Sequence, residues 1–222
     1  MTHGERVRRF DAADLYVVIT QEYCGGRSAL DVLDAVLDAG VRLIQCREKD
    51  LDDERLFDHA REFRYRAEQA GAVLIVDDRL DIALAVDADG VHLGQDDLPV
   101  EDARRLAPEH LVGASTHSLR EAQIAQREGA SYVTIGPIFA TQTKATGVKP
   151  LGPDAIARIA PKLTVPFSCM GGIRPENIDE VVSRGAKHPA VMTAVTAAED
   201  VRAAAKELRD RIAAARKARA TV

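Results

Sequence analysis

Cysteine is scarce in this 222-residue chain: Cys24, Cys46 and Cys169 make an odd set whose spacing matches no zinc-binding pattern. Cys46 and Cys169 sit inside apolar runs, IQCRE and FSCMG, so the expectation is buried structural thiols in a reducing compartment. Long apolar runs are missing too; none approaches the ~20 residues of a membrane span. The opening MTHGERVRRFDAAD is too charged for a signal peptide, and a cytoplasmic location is expected. Positive charge is not in excess. A formal net charge of -5 argues against a general nucleic-acid surface, while leaving room for cations gathered around an anionic ligand. No linker, low-complexity tract or second domain is visible.

What is present is a regular alternation. Hydrophobic residues make up 46% and charged residues 29%, enough for a substantial core in a soluble chain. Eight short apolar runs recur: LYVVIT from Leu15, VRLIQC from Val41, VLIVDD from Val73, DGVHLG from Asp89, LVGAS from Leu111, YVTIG from Tyr132, VPFSCM from Val165 and PAVMT from Pro189. Helical patterns lie between them. Val32, Leu33, Val36 and Leu37 share one face, Ser28, Asp52 and Ser118 stand where N-caps stand, and Gly40, Gly71, Gly129 and Gly185 close helices before strands. The strand runs are nearly continuously apolar, so both sheet faces should be covered. Alternating strand and helix patterns imply a parallel sheet. Eight such units favour an α/β fold of one domain over residues 1–222, a closed (β/α)8 TIM barrel, with 1–13 as an N-terminal extension and 198–222 as a C-terminal helix and tail. The rival, an open doubly wound sheet, usually carries GxGxxG after its first strand; TQEYCGGRS stands there instead.

Barrel ligands meet the loops at the C-terminal ends of the strands. At those positions Arg47, Lys49 and Lys144 are cations suited to phosphate oxygens, and Asp78 and Asp97 are carboxylates on adjacent units. Two carboxylates with phosphate oxygens and water suit Mg2+, which takes few protein ligands. Any one of these residues alone reads as a solvated loop charge or cap; their joint placement is what carries weight. Gly171-Gly172 and the segment after the eighth strand suit a second phosphate held by backbone N–H groups, although a simple turn fits GGI equally well. One diphosphate with metal and one monophosphate without suggest group transfer with pyrophosphate leaving.

At these residues the sequence resembles the thiamine phosphate synthase family, from about Tyr16 to Val195. The carrying segments are QCREKD, VDDRLDIALAVDADGVHLGQDDL, GASTHS, YVTIGPIFATQTK and MGGI. The resemblance implies a Mg2+-dependent transferase joining 4-amino-2-methyl-5-hydroxymethylpyrimidine diphosphate to a thiazole ethanol phosphate. It implies that Tyr16 and Gln45 line the pyrimidine, that Arg47, Lys49 and Lys144 hold the diphosphate, and that Asp78 and Asp97 bind Mg2+. Ser115 would sit near the pyrimidine amino group and the leaving pyrophosphate. Thr141, Gln142 and Thr143, with Gly172, Met192 and Thr193, would hold the thiazole phosphate. The implied mechanism is dissociative, with catalysis resting on Ser115, Lys144 and Arg47. Small molecules are the expected partners, with no nucleic acid or membrane; a homo-oligomer is compatible.

Two departures stand out. Asp77 occupies a position where the family usually has Asn, and its extra charge would have to turn toward Arg79 or join the metal shell. The entry to the eighth strand reads GAKHPAV, where Pro189 fits only the beginning of a strand, which leaves the placement of Met192 and Thr193 open. The alternative activity is that of a thiazole tautomerase with His117 as acid or base. Asp78, Asp97, Gln45 and Lys49 would then be idle.

Overall fold

The computed structural model describes residues 1–141 and 148–220. Eight parallel strands close into a barrel in chain order: β1 Tyr16–Ile19, β2 Leu43–Cys46, β3 Val73–Asp77, β4 Gly90–Leu93, β5 Leu111–Thr116, β6 Tyr132–Ile135, β7 Phe167–Met170 and β8 His188–Val191. Each lies within or beside the run expected of it. The helices that pack outside include α2 Ala29–Asp38, α3 Asp53–Gln69, α6 Leu119–Arg127 and α10 Val201–Ala220. Ser28, Asp52 and Ser118 cap α2, α3 and α6, each accepting a backbone N–H of the first turn. Gly40, Gly71, Gly129 and Gly185 all take positive φ, as helix-terminating residues in the left-handed region do.

Successive residues of each strand face opposite sides, and here both sides are buried. One set (Val17, Ile44, Leu74, Val91, Val112 and Val133 among them) joins the helix layer in the main core. The other set points into the barrel, where Tyr16, Leu43, Val73, Ile75, Leu111 and Tyr132 form a separate cluster. Gly113 makes room there: a Cβ on it would overlap the Tyr132 ring.

Residues 1–13 are more than an extension. A capping box between Thr2 and Glu5 starts helix α1, His3–Ala12, which closes the N-terminal mouth of the barrel. Phe10 is 1% exposed and stacks on Tyr132 at 4.3 Å between centroids. Arg9 pairs with the buried Asp89 at 3.0 Å, and Asp89 also accepts the Leu74 N–H. Pro189 is the second residue of β8, not its first; it pairs with Cys169 of β7, and the β1 ladder begins only at Ala190, so its missing N–H interrupts nothing on that side. All three cysteines are buried and free, and burial raises their pKa values, that of Cys24 to about 11.

Candidate active site

The inward column of the barrel changes character toward its C-terminal end. Above the apolar cluster come Gln45 on β2, Asp77 on β3, His92 on β4 and Ser115 on β5, all lining one cavity at the open mouth. Arg47, Asp78, Thr141, Gly172, Met192 and Thr193 line it as well, so the Pro189 departure does not displace Met192 or Thr193.

The charged side of this mouth is tightly knit. Asp78 takes φ 58, and its N–H donates to the His92 carbonyl oxygen at 2.8 Å. Its carboxylate contacts the Lys49 ammonium and lies near enough to Asp97 for the two carboxyls to shift each other's titration. Asp97 is anchored by the Gly94 N–H at 2.7 Å. Burial and the neighbouring Asp78 raise the pKa of Asp97. Burial also pushes Asp78 upward, but its bond to Lys49 and the neighbouring Asp97 outweigh that and hold it low. Adjacent carboxylates resist joint ionisation unless a proton or cation lies between them, and a divalent ion fits that need. Among the described residues no group of three or more His, Cys, Asp or Glu converges. A metal here would take these two carboxylates and draw its other ligands from substrate oxygens and water, as Mg2+ commonly does.

Of the two courses open to Asp77, the turn toward Arg79 is not the one taken. Asp77 turns away from Arg79, which pairs with Asp53 and Asp81, and toward Arg47 at 3.3 Å and Lys49 at 3.2 Å. Burial, with Asp78 adding to it, pushes its pKa up to about 6 against the opposing pull of Lys49 and Arg47. Burial also works against the charge of Lys49, but Asp77 and Asp78 prevail and raise its pKa.

Tyr16 corrects an expectation. It is fully buried in the apolar cluster and reaches the site through Gln45, whose Nε2 donates to its hydroxyl at 2.9 Å. The resemblance implied a place for it beside the pyrimidine; the fold ends its hydroxyl below the cavity floor, under Gln45. Conversely, His92 stood among the strand-end residues of the sequence without being given a role. The available signal was its alternation with the apolar Val91 and Leu93, which face outward; the register then sets it opposite Asp77.

The other side of the mouth is built from backbone and small side chains. Gly171 and Gly172 have φ 109 and 61, and a Cβ on either would collide with the loop that follows β6, at 2.6 Å from Pro137 Cβ and 2.5 Å from the Ala140 oxygen. Packing of that loop is thus sufficient reason for both glycines. Beyond them an outer chamber shares Thr141, Gly172, Ile173 and Thr193 with the inner cavity, and the exposed Arg174 lines it. Arg174 was not singled out from sequence. Gln142, Thr143 and Lys144 lie outside the described residues. His117 stands off the inner cavity, its Nδ1 2.6 Å from the Gly136 carbonyl oxygen.

Such a mouth, with paired carboxylates and cations on one side and a glycine-lined chamber on the other, defines a parallel-barrel enzyme for phosphorylated small molecules. The family model described as thiamine monophosphate synthase matches residues 15–195. The thiamine-phosphate synthase of Chloroflexus aurantiacus is 46% identical over 195 residues, covering 88% of this chain and 90% of that protein. That of Chlorobium luteolum is 48% identical over 192 residues, covering 86% and 89%. Among solved structures, the thiamine phosphate pyrophosphorylase of Pyrococcus furiosus superposes with a TM-score of 0.86 at 35% identity, covering 94% of this chain and 98% of that one. A 3-hexulose-6-phosphate synthase at 20% identity and a TM-score of 0.63 shares the fold. The chain belongs to the thiamine monophosphate synthase family. The tautomerase alternative finds no support among these relatives.

Proposed function

We propose that this thiamine-phosphate synthase joins 4-amino-2-methyl-5-hydroxymethylpyrimidine diphosphate to thiazole ethanol phosphate, releases pyrophosphate, and requires Mg2+ held by Asp78 and Asp97. The activity class, a transferase, follows from the family. The observation that carries the metal assignment is the meeting of Asp78 and Asp97 beside Lys49. When bound, Mg2+ neutralises charge on the departing diphosphate.

The chain's own residues do the rest by positioning and electrostatics. Arg47 and Lys49, with Lys144, bind the diphosphate. Gln45 orients the aminopyrimidine at the cavity floor, and Ser115 faces its amino group and the leaving pyrophosphate. Thr141, Gln142, Thr143, Gly172, Met192 and Thr193 hold the thiazole phosphate so that the ring nitrogen faces the methylene carbon. Pyrophosphate departs first, the electron-rich aminopyrimidine stabilises the methylene cation, and the thiazole nitrogen then attacks. No general base is needed. No helix among the described residues is long and apolar enough to cross a membrane. The three free, buried thiols support a reducing, cytoplasmic setting.

Incubation with both substrates, with and without EDTA, tests this reading. Pyrophosphate and thiamine phosphate should appear together in Mg2+ and stop on chelation. Isomerisation of the thiazole phosphate alone would instead favour a tautomerase.

A further inference from the structure

Beneath the cavity floor runs a chain of hydrogen bonds that crosses the barrel interior. Gln45 Nε2 donates to the Tyr16 hydroxyl at 2.9 Å. The Tyr16 and Tyr132 hydroxyls are 3.2 Å apart. The Tyr132 hydroxyl is 3.1 Å from His92 Nδ1, and His92 Nε2 is 2.9 Å from Ser115 Oγ. Five side chains from β2, β1, β6, β4 and β5 are thereby linked end to end. Tyr16 and Tyr132 are 0% exposed, Gln45 2% and His92 6%, so the two hydroxyls must match donors with acceptors among themselves.

We infer that this chain has a direction, set by the Gln45 amide, and that it makes the Ser115 hydroxyl a proton donor into the cavity. The amide nitrogen of Gln45 can only donate, so the Tyr16 oxygen accepts and its single proton goes on to Tyr132. Tyr132 then accepts from Tyr16 and donates to His92 Nδ1. A neutral imidazole that accepts at Nδ1 carries its proton on Nε2, and that proton points to Ser115 Oγ. With its oxygen already accepting inside the wall, Ser115 keeps its own O–H for whatever occupies the cavity it lines. Burial raises the pKa of both tyrosines, which keeps their hydroxyls protonated as the chain requires.

Tyr16, Tyr132 and His92 are accordingly positioning residues. They fix which way one hydroxyl points, and none of the three needs to gain or lose a proton during turnover. The inference rests on the functional reading in one respect: that Ser115 faces the leaving pyrophosphate. A donor held ready there meets the negative charge that develops as the bond breaks. Gly113 supports the arrangement, because only a residue without Cβ lets the Tyr132 ring lie across β5 beneath His92.

Nitrogen-15 NMR of His92 in the intact protein reads the direction. The expected result is a neutral ring with its proton on Nε2. A ring protonated on Nδ1, or on both nitrogens, overturns the inference. Tyr132→Phe keeps the ring stacked on Phe10 and removes the hydroxyl that accepts from Tyr16 and donates to His92. It should bring the Nδ1–H tautomer into view and lower kcat about tenfold, with KM for both substrates within about twofold. The losses in Tyr132→Phe and Ser115→Ala should not multiply when combined, since both act through one hydroxyl. Unchanged turnover in Tyr132→Phe, or multiplying losses, also overturns it. Should Tyr132→Phe not fold, Tyr16→Phe cuts the chain one link earlier and should likewise bring up the Nδ1–H form; an unaltered tautomer there shows that Gln45 does not set the direction. If the unmodified protein makes no thiamine phosphate, the functional reading fails while the nitrogen spectrum still decides the direction of the chain.

Discussion

The two ends of the barrel interior are built on the same strands and have opposite characters. At the N-terminal end Phe10, Leu43, Val73, Leu111 and the rings of Tyr16 and Tyr132 fill the space, and α1 seals it. At the C-terminal end, further along the barrel wall, stand Gln45, Asp77, His92 and Ser115, with like charges crowded at Asp77, Asp78 and Asp97. The closed end lowers free energy through apolar burial. The open end carries arrangements that raise it, such as a buried Asp77 with a pKa near 6 and an Asp78 held in left-handed backbone. Stability and chemistry are thus segregated along one axis, and the Gln45–Tyr16–Tyr132–His92 chain is where the two regions meet.

The largest effect expected from breaking this contrast is at the sealed end. Phe10→Ala removes a ring that is 1% exposed, and should cost about 3–5 kcal/mol of unfolding free energy in a denaturant titration. Turnover per folded molecule should stay within about threefold. A collapse of kcat in a folded Phe10→Ala protein would show that the plug belongs to the site as much as to the core.

At the open end the order reverses. Asp97→Ala should reduce Mg2+-dependent turnover about a hundredfold, about 2.7 kcal/mol in barrier, while the unfolding midpoint hardly moves. Isothermal titration with Mg2+ and pyrophosphate should show the matching loss of binding. Unchanged activity would remove the metal assignment.

The smallest effect should come from Asp77→Asn, which sharpens the comparison. It frees Arg47 and Lys49 from a buried carboxylate, so KM for the pyrimidine diphosphate should hold or fall by about threefold. Because burial disfavours the ionised form of Asp77, which still predominates at pH 7, stability there should rise by about 1 kcal/mol, read as a higher thermal midpoint. A loss of activity would mean that Asp77 is itself a ligand.

Much of this molecule was legible before its structure. Eight apolar runs with helices between them, caps at Ser28, Asp52 and Ser118, and closing glycines at Gly40, Gly71, Gly129 and Gly185 specified the barrel, because period, capping and chain reversal are local properties. The set of strand-end residues was legible for the same reason: in a parallel barrel every C-terminal strand end faces one mouth. The helix in residues 3–12 was missed because its apolar content is small, and its stability comes from a capping box and from burying Phe10 under Tyr132.

What the amino-acid order alone settled, then, was topology and the roster of groups at the mouth. Tertiary structure decided which partner each group takes. Asp77 chose Arg47 and Lys49 over Arg79, Tyr16 ended below the cavity floor, and His92 became the link between Tyr132 and Ser115. Those choices depend on ladder register, where a shift of a single residue sends a side chain to the opposite face, and on charges brought close by chain closure across many residues.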